Sequence, residues 1–227
     1  MRITLKEDKY AICAMAVFSI VIFLIAFLTK GTCDEGDSIM HYLFAKYAFA
    51  HPENFFNHWA KPFYVLIMSP FAQFGFAGAR VFNTILTCTS VWFAYLAKEM
   101  KYKWAICVFI IPLFFKTLVV VTFSGLTEPL NNALIAIAIY LAFTERYAMA
   151  TIIMSFLPFV RSEGLFLCGT FGLYLLWMRQ WKILPLLILG HVVYSIAGYP
   201  FHKDFLWVIH NIPYQFGSTH YGHGGWL

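Results

Sequence analysis

The sequence predicts an all-α polytopic integral membrane protein, and three observations carry that prediction. Of its 227 residues, 61% are hydrophobic and 12% charged, more apolar surface than a soluble core of this length needs to bury. The apolar runs are much longer than the ~10 residues of a transmembrane barrel strand. Backbone groups in lipid must bond within their own segment, so runs of this length are helices.

The first apolar run is Tyr10–Thr29. The basic stretch before it resembles a signal peptide, but the run is too long and no small-x-small cleavage site follows, which predicts a retained signal anchor. A polar and aromatic loop, Lys30–Gly78, comes next. Further spans are expected at Ala79–Ala97, Trp104–Val121, Leu126–Phe143, Tyr147–Val160, Leu165–Met178 and Ile183–Tyr199. That makes about seven transmembrane helices. Residues 1–199 then form one membrane module containing the 30–78 loop, and residues 200–227 form an extracytoplasmic tail or the start of a further loop.

Two segments of the long loop read as interfacial helices. Pro62–Phe76 is apolar but short and interrupted by Pro70, so it is expected to lie in the outer interface rather than to span. In Ser38–Ala50, Met40, Phe44 and Tyr47 share one helical face, while Asp37 and His41 lie on another. The pair Tyr147–Val160 and Leu165–Met178 is also short, about 14 residues or ~21 Å of helix each against a hydrocarbon core of ~30 Å. Short legs draw their connection, Arg161-Ser162-Glu163-Gly164, below the outer surface, where charged groups must line a polar cavity.

Orientation follows from the cations. With the N-terminus inside, the cytoplasmic stretches hold nine Lys and Arg against four acids, while the remaining seven cations and seven acids cancel. The whole net charge of +5 is then cytoplasmic. No Lys/Arg-rich run with interleaved aromatics is present, so nucleic acid is not an expected partner. The five cysteines show no C-x-x-C spacing, and four of them (Cys13, Cys88, Cys107 and Cys168) fall in apolar runs, which predicts free thiols.

The chemistry is expected where Asp34, Glu35 and Asp37 crowd together as the first helix leaves the bilayer. Repulsion and partial desolvation raise at least one of their pKa values, suiting that group to take a proton from an attacking hydroxyl. The competing reading makes Asp37 the cap of the Ser38 helix. Arg161 and Lys116 are cations at membrane depth and fit a phosphate; an ion pair of Arg161 with Glu163 or Glu128 is the alternative. Glu128 opens the fourth span, where it could orient an acceptor or a metal, or simply favour a helix N-terminus. His58, Trp59 and Lys61 read either as sugar and phosphate contacts or as an interfacial anchor. His202, His210, His220 and His223 have no tight ligand spacing.

Asp34-Glu35 after a signal-anchor helix, with Tyr42 and Ala45 downstream, then Lys61-Pro62 leading into an interfacial helix, resembles the GT-C glycosyltransferases. These membrane enzymes use polyprenyl- or dolichyl-phosphate sugars and include protein O-mannosyltransferases, aminoarabinose transferases and GPI mannosyltransferases. Thr127-Glu128 and Arg161-x-Glu163-Gly164 resemble further marks of that superfamily, and the seven spans resemble its N-terminal module. The resemblance implies inverting transfer of a sugar, mannose among the candidates, from a lipid phosphate to an extracytoplasmic acceptor. It makes Asp34 the general base, Glu35 and Asp37 orienting groups for the acceptor or a divalent ion such as Mg or Mn, and Arg161 the residue that steadies the leaving phosphate.

Members of that superfamily usually continue with more spans or an extracytoplasmic domain, so a second subunit supplying further helices is an expected partner beside the lipid-linked donor and membrane lipids. The rival readings are a non-catalytic carrier or scaffold for lipid-linked saccharides and a small-solute transporter. The expected location is a bacterial inner membrane, with the endoplasmic reticulum as the alternative, the N-terminus cytoplasmic and the C-terminus outside.

Overall fold

A computed structural model describes residues 9–32, 36–97 and 120–211. Among these the chain is all-helical, with no strand. The first helix, α1 (Lys9–Leu28), packs against α4 (Phe76–Ala97). Between them the chain forms α2 (Asp37–Tyr47), a 3-10 turn at Pro52–Phe56, and α3 (Pro62–Ala72). After the undescribed stretch come α5 (Glu128–Phe143), α6 (Tyr147–Ser155) with a 3-10 turn at Leu157–Phe159, and α7 (Gly164–Trp177). A 3-10 stretch, Trp181–Ile188, runs into α8 (Leu189–His202), and α9 (Trp207–His210) follows. The expected third span, Trp104–Val121, lies outside the described residues except for its last two.

One described helix, Trp181–His202, is both long and apolar enough to cross a bilayer. It covers the expected Ile183–Tyr199. The other expected spans that are described coincide with helices. Their lengths differ, however: α6 with its 3-10 turn reaches only Phe159, and α4 carries buried Arg80, Asn83, Thr84 and Thr87. Along α1 and α7 large apolar side chains face outward, Leu28 at 80%, Phe166 at 73% and Trp177 at 81% exposure.

The short helix α3 packs on α2 and α4 and buries Tyr64, Val65, Met68 and Ala72 in the main apolar cluster with Tyr42, Phe82 and Leu130. At ~1.5 Å per residue its 11 residues cannot span a hydrocarbon core. Pro70 lies inside it without ending it. A proline there leaves the Leu66 carbonyl without its usual donor, and Ser69 Oγ donates to that oxygen at 2.9 Å. The proline therefore replaces one hydrogen bond instead of breaking the helix.

Arg80 joins α4 to the end of α1. Its Nε donates to the Ala26 carbonyl at 3.1 Å and its Nη1 to the Gly31 carbonyl at 2.5 Å. The last carbonyls of a helix lack intrahelical partners, and this guanidinium, on a residue that is 6% exposed, supplies the one of Ala26 and also holds Gly31 just beyond the helix. It fixes where the chain departs toward α2.

The last long helix does not stop at Pro200. That proline is internal to α8, which continues to His202. The chain then folds back: Trp207 is fully buried against Phe159 and Tyr194, and its indole Nε1 donates to the Tyr194 carbonyl at 2.9 Å. Residues 212–227 lie outside the described part.

Candidate functional site

Four separate segments converge on a cleft of about 300 Å³ lined by Asp37, His41, Trp59, Lys61, Leu126, Thr127, Glu128 and Arg161–Glu163. Each wall has a local cause. Asp37 is the first residue of α2, behind Gly36, and its side chain caps nothing. The capping role is thus not the one it takes. Ser38 turns inward instead, its hydroxyl 2.9 Å from that of Thr32 and accepting the Gly125 N–H at 2.5 Å.

The wall made by Ser124–Glu128 is held from three sides. Asn83 Nδ2 donates to the carbonyls of Ser124 and Leu126 at 2.7 and 3.0 Å, and the buried Tyr64 hydroxyl donates to the Gly125 carbonyl at 2.8 Å. Burial raises the Tyr64 phenol above its ordinary pKa, so it remains a donor. A Cβ on Gly125 would collide with the Ser38 carbonyl oxygen, which explains glycine at this close approach. Glu128 then opens α5 at the rim, where an acid suits a helix N-terminus.

The third wall is the turn between the Leu157–Phe159 3-10 element and α7. Arg161 N–H donates to the Leu157 carbonyl, and Gly164 N–H to the Arg161 carbonyl, both at 3.0 Å. Gly164 lies so close to the Leu157 backbone that any side chain would clash. That contact accounts for glycine after Arg161-x-Glu163.

Arg161 pairs with two carboxylates. Nη1 bonds Glu128 Oε1, and Nη2 reaches Glu163 Oε1 at 2.9 Å. Burial opposes its charge, but the hydrogen bonds and charges of Glu163 and Glu128 outweigh burial and hold the guanidinium above its ordinary pKa. Glu163 is held below the ordinary carboxylate range, chiefly by its bond from Arg161. The two arms differ: the Glu128 side chain is 32% exposed and that of Glu163 64%.

Lys61 crosses the cleft, its Nζ donating to Ser162 Oγ at 2.9 Å. Burial lowers the ammonium's pKa, with Glu163 opposing and Arg161 adding to that effect. Its backbone takes a left-handed φ of 65° just ahead of Pro62, a conformation that costs a non-glycine residue ~1–3 kcal/mol and tends to cluster at functional positions.

Of the residues expected from the sequence, the cleft thus gathers Asp37, Lys61, Glu128, Arg161 and Glu163. His58 sits elsewhere, edge-on to Trp207 at 6.2 Å, where burial drops its imidazole to about 4. Asp34, Glu35 and Lys116 lie outside the described residues. The sequence reading did not single out His41, Thr127 or Ser162 as site residues. The only signal for His41 is its position four residues after Asp37, one helical turn along the same face.

For a divalent ion the described donors fit poorly. Glu128 and Glu163 are engaged by Arg161, and no three described His, Cys, Asp or Glu side chains converge. The described cysteines Cys13, Cys88 and Cys168 are free thiols. Fold and site together define an all-helical protein with a charged cleft roofed by short helices. No known protein family, curated protein or solved structure matches the chain.

Proposed function

We propose that this is a GT-C type membrane glycosyltransferase, moving a sugar from a polyprenyl-phosphate donor to an extracytoplasmic hydroxyl with inversion. The observation that carries the reading is the convergence of Asp37, Lys61, Glu128, Arg161 and Glu163, from four separate segments, on one polar cleft in a largely apolar helical protein. In this reading Asp34, with Glu35 beside it, deprotonates the acceptor hydroxyl as it attacks the anomeric carbon. Asp37 orients the acceptor at the cleft wall. The bond from anomeric carbon to lipid phosphate breaks, and the phosphate leaves with the electron pair.

Lys61 and Arg161 are the cations available to that phosphate. An exposed ion pair contributes little, so the leaving group displaces Glu163 from Arg161, while Glu128 continues to hold the guanidinium in place. No step is routed through a metal ion. The outward apolar side chains of α1 and α7 support a lipid setting. The proposed arrangement has seven spans, the N-terminus in the cytoplasm of a bacterium, α2 and α3 in the outer interface, and a second subunit completing the donor and acceptor sites.

The test is sugar transfer in membranes by wild type and Asp34→Asn. Loss of a general base costs about 10²–10⁴-fold, and unchanged turnover would remove Asp34 from the mechanism. The double pairing of Arg161 favours one rival, a carrier whose cleft never exchanges its carboxylates. Bound-lipid mass spectrometry separates them, since a carrier retains intact lipid-linked saccharide and an enzyme retains spent lipid phosphate.

A further inference from the structure

His41 lies one helical turn past Asp37 on α2, and both line the cleft. The residue is 7% exposed. Its ring stacks on Trp59 with centroids 5.1 Å apart and an interplanar angle of 16°, and it meets Tyr64 edge-on at 5.6 Å. These contacts fix the ring plane. They leave its two nitrogens as its polar atoms.

Nδ1 is 3.2 Å from the Ala60 carbonyl oxygen. A carbonyl can only accept, so Nδ1 carries the proton. Burial pushes the imidazole down to about 4, against the pull of the Ala60 bond and Asp37, while the charges of Lys61 and Arg161 lower it further. At neutral pH the ring therefore carries one proton, held on Nδ1, and Nε2 is a bare lone pair. Among the described residues no donor reaches Nε2.

The charged side chains of the cleft differ from it: Lys61 and Arg161 only donate, while Asp37, Glu128 and Glu163 are carboxylates. The neutral hydroxyls of Thr127 and Ser162 can donate as well as accept, that of Ser162 already accepting from Lys61. An uncharged acceptor locked in orientation is what a hydroxyl requires when it must be held without attracting a cation.

We propose that His41 is a fixed acceptor that positions a saccharide hydroxyl in the cleft through Nε2. The proposal rests on the glycosyl-transfer reading only for the identity of the saccharide. His41 takes no proton in the reaction, so no charge develops on it.

The experiment compares wild type, His41→Asn and His41→Gln in membranes, measuring KM and turnover for transfer from a polyprenyl-phosphate sugar, and binding of that donor by native mass spectrometry. Asparagine keeps an N–H for the Ala60 carbonyl and deletes Nε2, whereas glutamine reaches the Nε2 position with an amide oxygen. The expected result is a KM about tenfold higher in His41→Asn at unchanged yield of folded protein, substantially restored in His41→Gln, as for the loss of one hydrogen bond. If His41→Asn does not accumulate, wild-type donor affinity serves instead: it should be flat from about pH 7.5 to 5.5 and fall only toward pH 4. An affinity that falls with a midpoint near 6.5, or a wild-type KM in His41→Asn, overturns the proposal. Binding weakened by His41→Asn in a protein that transfers no sugar keeps the acceptor role and overturns the transferase reading. Absence of both transfer and donor binding in wild type overturns both.

Discussion

Arg80 and Arg161 are two guanidinium groups in one helical body, and they are satisfied in different ways. Arg80 gives hydrogen bonds to the Ala26 and Gly31 carbonyls and is almost fully buried. Arg161 faces a cleft and pairs with Glu128 and Glu163. The Ala26 carbonyl at the helix end lacks an intrahelical partner, so Arg80 is a fastening. Carboxylates at a solvent-reached rim can be exchanged for other oxyanions, so Arg161 is available for chemistry. The comparison teaches that a charge inside an apolar protein declares its role through its partners more than through its depth.

The largest effect should come from Arg80→Leu. It removes two charge-assisted hydrogen bonds, one to the helix-end Ala26 carbonyl and one to the Gly31 carbonyl beyond the helix, each worth ~1.5–3 kcal/mol, so a loss of about 4 kcal/mol is expected. Thermal unfolding in detergent measures it, and a variant as stable as wild type would erase the distinction between the two arginines.

Acid should separate the same two regions next. The carbonyl partners of Arg80 do not titrate, whereas the cleft holds His41. Its folded pKa, about 4, lies below its ordinary 6.5, so the unfolded chain binds the proton first. The stability stake is absent above pH 6.5, grows as pH falls to 4, and levels off below. It amounts to a destabilisation on the order of 3 kcal/mol. The melting-temperature gap between wild type and His41→Asn should narrow as pH drops through this window, and a constant gap would contradict the buried neutral ring.

The smallest effects grade the two carboxylates of the cleft. Glu128→Gln removes the more enclosed partner of Arg161 and should cost about 1–2 kcal/mol. Glu163→Gln breaks an exposed pair and should stay within about 0.5 kcal/mol. Equal losses in denaturant titrations would mean that neither arm is the exchangeable one.

Much of the helical layout could be read from apolar run lengths, because a run long enough for lipid has only one way to satisfy its backbone. Boundaries were less legible. The helix α4 starts at Phe76 instead of Ala79, α8 runs past Pro200, and α3 runs past Pro70, where Ser69 serves the freed carbonyl. Asp37, Lys61, Glu128, Arg161 and Glu163 stood out as rare charges in an apolar chain. His41 did not, since a lone histidine on a helix face carries no mark of which nitrogen will be engaged. Asn83 and Tyr64 were hidden for a further reason. Their value lies in hydrogen bonds to a loop more than forty residues away, and no local pattern encodes such a distance.

The wall at Ser124–Glu128 is anchored to α2, α3 and α4 through Ser38, Tyr64 and Asn83. Across the gap run two side-chain braces, Lys61 to Ser162 and Arg161 to Glu128, above a base where Val160 of the opposite wall packs in the main apolar cluster. Both jaws are therefore bolted at the root and strapped at the rim. A guest bringing its own oxygen atoms could unbuckle the straps one at a time, so admission would require no melting of the frame.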